Sequence, residues 1–167
     1  MKKIYLLAAV SVLTLGCAEV WAAEATGQGN ISAKIVAPVT VTEAQALDFG
    51  TILAPTDSAK KVTIAAANGA RSADDEKMLV GTNTGKAGLF NVTGAENQRM
   101  TINLPGSTTL TGASGDPMKV DNFTSDKGTE LTLDGTSGTF QVGADLTVNQ
   151  GQDEGDYTGT YQVTVSY

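Results

Sequence analysis

The chain has 167 residues, with 11 Lys and Arg against 18 Asp and Glu, a formal charge of −7, and no histidine. Such an acidic surface repels nucleic acid and anionic lipid. The missing histidine removes the commonest general base, the commonest metal ligand and the Ser-His and Cys-His nucleophile pairs together, so no catalytic residue, metal ligand or cofactor site is expected.

The first residues read as an address. Lys2 and Lys3 are a short positive region, and Ile4 to Gly16 is an apolar run too short to span a bilayer as a permanent helix. Val20-Trp21-Ala22 puts small or modest side chains at −3 and −1, so cleavage is expected between Ala22 and Ala23, with a cut after Ala18 as the alternative. Leu15-Gly16-Cys17 resembles the end of a lipoprotein signal. Thr14 stands where such signals carry leucine, so Cys17 is read as discarded with the signal. The mature chain, Ala23 to Tyr167, then has 145 residues, enough for one domain with a real core, and neither Cys nor Trp. Of the 11 basic and 18 acidic residues, nine and seventeen remain, a formal charge of −8. Without a disulfide, stability must come from packing, ladder hydrogen bonds and a partner.

Alternation at period two recurs along the chain. Ile31, Ala33 and Ile35 share one face, and Val39 and Val41 continue the run beyond Pro38. Leu47 to Ile52 reads as a strand, as does the stretch of Val62, Ile64 and Ala66 before Asn68-Gly69. Arg71 to Lys77 is charged and fits a single helical turn. Leu89 to Thr93 is followed by Met100, Ile102 and Leu104, then by Leu110, Met118, Val120 and Phe123 among glycines. Leu131 and Leu133 precede the tight-turn pair Asp134-Gly135. Phe140, Val142, Ala144, Leu146 and Val148 form the longest run, with Gly143 as a candidate bulge. Tyr157, Tyr161, Val163, Val165 and Tyr167 close the chain. No stretch has a sustained 3.6-residue apolar stripe. Eight or nine short strands separated by turn signals predict an all-β, immunoglobulin-like antiparallel β-sandwich. An outer-membrane barrel would need longer strands and aromatic girdles, and the seven mature aromatics are too few. No membrane span is expected.

Two acidic clusters, Asp74-Asp75-Glu76 and Asp153-Glu154-x-Asp156, could hold Ca²⁺, but neither has EF-hand spacing and clustered loop acids are usually solvated. A carboxylate pair for glycoside hydrolysis is not marked out. Three Asn-x-Ser/Thr matches, at Asn30, Asn91 and Asn122, arise readily by chance.

The ends make a pattern together. The last strand, with Tyr161, Val163, Val165 and Tyr167, runs to the end of the sequence, so its outer edge and the adjoining groove are expected to be exposed. At the other end, residues 23–36 form an extension whose Ile31, Ala33 and Ile35 sit at i, i+2, i+4. That segment fits two roles: a strand donated to a neighbour's groove, or a first strand paired within its own domain, residues 37–167. Donation from copy to copy is head-to-tail and grows into a fibre. A self-contained sandwich binding a ligand such as a glycan or Ca²⁺ is the other reading.

Asn30-Ile31-Ser32-Ala33-Lys34-Ile35, followed by Leu47-Asp48-Phe49-Gly50-Thr51-Ile52, resembles the start of the spore-coat-U-like and archaic chaperone–usher pilins. Gly155-Asp156-Tyr157 through Val163-Thr164-Val165-Ser166-Tyr167 resembles their ending. Phe90-Asn91-Val92-Thr93-Gly94, Thr101 to Pro105, Met118-x-Val120-x-x-Phe123 and Phe140-x-Val142-Gly143-Ala144-x-Leu146 resemble more closely a secreted bacterial domain-of-unknown-function family (4402) related to those pilins. The resemblance implies a sandwich lacking its C-terminal strand and passage through the periplasm to the cell surface. It also implies assembly with neighbouring copies, aided by a periplasmic chaperone and an outer-membrane usher. Many of those pilins carry a Cys just after the donor segment; Ala37-Pro38-Val39 here has none.

Overall fold

The computed structural model describes residues 24–167; the expected cleavage between Ala22 and Ala23 lies outside them. The chain divides between Lys34 and Ile35. Before that point Glu24–Lys34 carries no strand or helix and every residue is exposed.

From Ile35 onward the protein is all-β, an antiparallel β-sandwich. Its strands are β1 (Thr40–Gln45), β2 (Lys60–Ile64), β3 (Arg71–Ala73), β4 (Gly88–Thr93), β5 (Arg99–Asn103), β6 (Ser107–Gly112), β7 (Met118–Ser125), β8 (Glu130–Thr132), β9 (Ser137–Val148), β10 (Tyr157–Thr158) and β11 (Thr164–Ser166). These eleven exceed the eight or nine expected because two- and three-residue strands such as β10 and β3 are too short to carry a period. The charged stretch after Arg71 divides between β3 and a 3₁₀ turn at Glu76–Met78, capped by the Asp75 carboxylate.

One sheet runs β1-β4-β9-β7-β6-β10, with β2 also on β9 and β3 on β2; the other is β11-β5-β8. The organising element is β9, 12 residues long. Its first half, Ser137 to Val142, pairs with β4, and its second half, Ala144 to Val148, pairs with β2. Strand β7 runs along its other side, so β4 and β2 share one edge in succession. Gly143 sits at the handover. A side chain there would strike the backbone of Ile64 and Ala65–Ala66, so the close approach of β2 demands glycine. The bulge itself is on β7: Asp121 faces Asp145 and Thr124 faces Gly143, leaving Asn122 and Phe123 opposite one residue. Asn122 takes a left-handed φ of 51° to make it. The extra residue shifts parity, which lets Phe123 pack against the core three positions after Val120.

The core has two parts. Phe90 and Val92 of β4 and Phe140 and Val142 of β9 pack against Met100, Ile102 and Leu131 of the second sheet. Val62, Ile64, Met118, Val120, Ala144, Leu146 and Val148 form the other part, joined by Phe49, Met78 and Ala87 from connecting segments. Phe123 packs against both.

Candidate functional site

Over the second part of the core lies an open, largely apolar groove of about 960 Å³. Its floor is Leu110 of β6, Met118 and Val120 of β7, and Leu146 and Val148 of β9. One wall is the segment Ala46–Ala54 and the other is Gln152–Tyr161.

The first wall is shaped by short-range chemistry. The Asp48 carboxylate accepts the Gly50 N–H at 2.7 Å and the Asn83 amide at 3.0 Å, turning the chain at Gly50, whose φ is 74°. Phe49 is buried by that turn. The Arg71 guanidinium donates to the Phe49 and Thr51 carbonyls, both at 3.0 Å, and pins the segment from outside. The segment expected to be a strand at 47–52 therefore holds only two isolated bridges, Asp48 with Lys86 and Ile52 with Leu79. Its backbone bonds, including Leu53 N–H to Met78 O at 2.8 Å, all run to the Met78–Lys86 side.

The second wall is fixed at Tyr157. Its hydroxyl accepts the Gln152 amide at 2.8 Å and lies 3.0 Å and 2.9 Å from the Ser114 and Asp153 carbonyls. Beyond it, β10 pairs only with β6, and the Thr108 hydroxyl donates to the Thr160 carbonyl at 2.8 Å. The groove is thus bordered by two lengths of chain, one bonded to the Met78–Lys86 side and the other to β6, whose Leu110 is part of the floor.

Tyr161 closes the groove at the seam between the two core parts. Its ring stacks on Phe123 at 5.1 Å and meets Phe90 edge-on at 6.0 Å. Its hydroxyl is buried without a hydrogen-bond partner, against Gly88 and close to Leu47. Burial first, and then the Glu43 carboxylate, push this hydroxyl above the ordinary tyrosine range.

Of the other closing residues, Val163 and Val165 pack against the first part of the core, and β11 is the outermost strand of its sheet, paired with β5 alone. Tyr167 is half-exposed; its hydroxyl donates to the Ala37 carbonyl and accepts the Ala95 N–H. Ile31 and Ile35 are 99% and 95% exposed, and Ala33 is exposed as well. The face expected to donate or to self-pair is in no strand.

The acidic clusters have local occupations. Asp74 accepts the Lys61 N–H, Asp75 caps the 3₁₀ turn and Glu76 accepts the Ala73 N–H. Asp153, Glu154 and Asp156 lie along the groove rim. On the outer face of β9, Asp145 is buried and bonded to Thr63, Asn122 and Lys61 at 2.7, 3.2 and 3.5 Å. Next to it the Lys119 ammonium holds the Asp121 carboxyl below its usual range. Among the described residues no helix is long and apolar enough to cross a membrane.

Sequence reasoning placed the groove at the last strand and took Leu47, Phe49 and Ile52 for core. The walls at 46–54 and 152–161 and the pin at Arg71 were missed. The signal for the first wall was the Asp48-Phe49-Gly50 turn, and for the second the glycines flanking Tyr157.

These features define a class: antiparallel β-sandwiches closed by a second sheet over one half and open as an apolar groove over the other. Within it, residues 39–167 match the family described as Domain of unknown function (DUF4402), and the chain belongs to that family. No curated protein and no solved structure matches it.

Proposed function

We propose that the chain is a structural subunit of an extracellular pilus- or fimbria-like fibre, assembled by donor-strand complementation. The observation that carries the reading is the presence in one chain of an open apolar groove and of an alternating apolar segment, Ile31, Ala33 and Ile35, that is exposed. Large exposed apolar surfaces on secreted domains mark interaction sites, and an extended strand is the occupant such a groove takes.

The likeness of both ends of the chain to chaperone–usher pilins supports the same reading. It adds a periplasmic chaperone and an outer-membrane usher as partners and the cell surface as destination. The apolar leader at Ile4–Gly16 agrees with that route.

Deleting residues 23–35 tests the proposal. The expected product is a folded subunit that no longer forms a ladder of SDS-resistant multimers. A truncated protein that still polymerises defeats the donor assignment. A full-length protein that is a plain monomer in its own host points instead to a self-contained ligand-binding sandwich.

A further inference from the structure

Resting on that reading, we infer that Tyr167 is a load-sharing clip. Its hydroxyl couples the root of the extension to β11, so that tension along the fibre is carried by both sheets together.

The clip joins edge strands of different sheets at one pole of the sandwich. Strand β1 is an edge of the larger sheet and pairs with β4, whereas β11 is an edge of the smaller one and pairs with β5. Thr40, at the start of β1, pairs with Thr93, and Thr93 pairs with Ser137 at the start of β9. On the second sheet Thr164 pairs with Asn103 and Ser166 with Thr101, so β11 runs toward the Arg99 end of β5. That end follows Ala95, two residues beyond Thr93. Tyr167 thus arrives where the extension leaves. There its hydroxyl donates to the Ala37 carbonyl and accepts the Ala95 N–H at 3.1 Å.

The direction of the load follows from the same ladders. A fibre's tension reaches the sandwich through the extension, which joins it at Ile35. It leaves through the groove, whose floor includes Leu146 and Val148 at the far end of β9. The pull is therefore lengthwise. Antiparallel ladder bonds lie across the strand axis. A pull on Ala37 draws β1 along β4 and strains the pairs from Thr40 with Thr93 to Gln45 with Leu89 together, not one after another.

On its own β1 is a weak anchor, because every residue in it except Val41 is exposed. Strand β11 is better seated, with Val163 just before it and Val165 within it packed against the first part of the core. Its Ser166 end points to the same pole, so a pull passed on by Tyr167 draws it along β5 in the same shear. The two edge strands then resist in parallel, one from each sheet.

Force spectroscopy on single chains tests the inference. In a Cys17→Ser background, thiol handles are placed at Ala33→Cys on the extension and at Gln150→Cys, two residues beyond β9; both positions are exposed. Tyr167→Phe keeps the ring and removes the hydroxyl. At constant tension it should unfold about tenfold faster than the same chain with Tyr167, the effect of about 1.4 kcal/mol in lost hydrogen bonds. With the first handle moved to Lys127→Cys, in the exposed turn after β7, the load bypasses the extension, and the two chains should unfold at nearly the same rate. Equal rates with the handle at Ala33→Cys overturn the inference. An equal acceleration in both geometries also overturns it, because the hydroxyl is then an ordinary stabilising contact. Each measurement is made on one chain, so the multimer ladder decides the fibre reading separately.

Discussion

Along β9, Phe140 and Val142 meet a second sheet, whereas Leu146 and Val148 meet two stretches of irregular chain with a groove between them. The strand is continuous and its inward side chains are equally buried, so the difference lies in what faces them. In the first half, Met100, Ile102 and Leu131 come from strands that pair with one another, and the layers close as in any sandwich. In the second half Phe49 and Met78 contribute large side chains without a ladder, and the bordering Ala46–Ala54 backbone bonds to the Met78–Lys86 side. The lesson is that one continuous strand can be covered by a second sheet along half its length and border an open groove along the rest.

The largest expected effect comes from breaking the closed half. Phe140 is fully buried and stacks on Phe90 at 5.4 Å. Phe140→Ala should cost about 3–5 kcal/mol in urea unfolding. A much smaller loss would mean that the closed half is not the stabilising one.

Supplying the open half with its missing layer should give a comparable gain. A synthetic peptide of residues 30–36, added to a chain lacking its extension, should stabilise by about 2.7 kcal/mol at a hundredfold excess over its dissociation constant. Amide exchange should slow at Thr51–Ala54 and Thr158–Thr160 and stay unchanged in β4 and β5. Protection spread evenly over both halves would erase the distinction between them.

Much of the core was legible in the sequence, the asymmetry between the halves was not, and the limits are physical. The parity of Phe140 through Val148, of Val62 and Ile64, and of Met100 and Ile102 named core positions correctly because each strand has one buried face. The turn at Asp134-Gly135 was legible from its dipeptide, and Gly135 has a φ of 61°. The parity shift at Phe123 was not, because a bulge exists only relative to the strand it faces. Nor was the groove wall, since Leu47–Ile52 alternates like a strand but turns at Gly50 and is held by Arg71, some twenty residues away. The period of Ile31, Ala33 and Ile35 is the same whether a strand is donated or kept.

A charge on the outer face of the open half separates stability from the groove. Asp145→Ala removes bonds to Thr63, Asn122 and Lys61 without touching the groove floor. The expected cost is about 1.5 kcal/mol, the lower end for bonds to a charged group, because the carboxylate keeps some contact with water. Peptide binding should be unaltered. Weakened binding would mean that the bulge at Asn122, held by the same carboxylate, sets the floor.

The smallest effect lies at Tyr161, where the halves meet. Burial raises its hydroxyl above the ordinary tyrosine value, so the neutral form belongs to the folded state. Below about pH 10 both folded and unfolded chains keep this proton and its contribution is complete. Above that the unfolded chain releases the proton first, and stability falls as pH rises toward the higher folded value. Urea midpoints at pH 8, 10 and 11 should therefore decline more gently in Tyr161→Phe than in the unaltered protein. The seam adds a second readout, because Tyr161 lines the groove and a strand bound there would bury it further. With the residue 30–36 peptide bound, tyrosinate absorbance should appear at still higher pH. An ionisation midpoint that ignores the peptide would remove Tyr161 from the groove and end the strand's track before the seam.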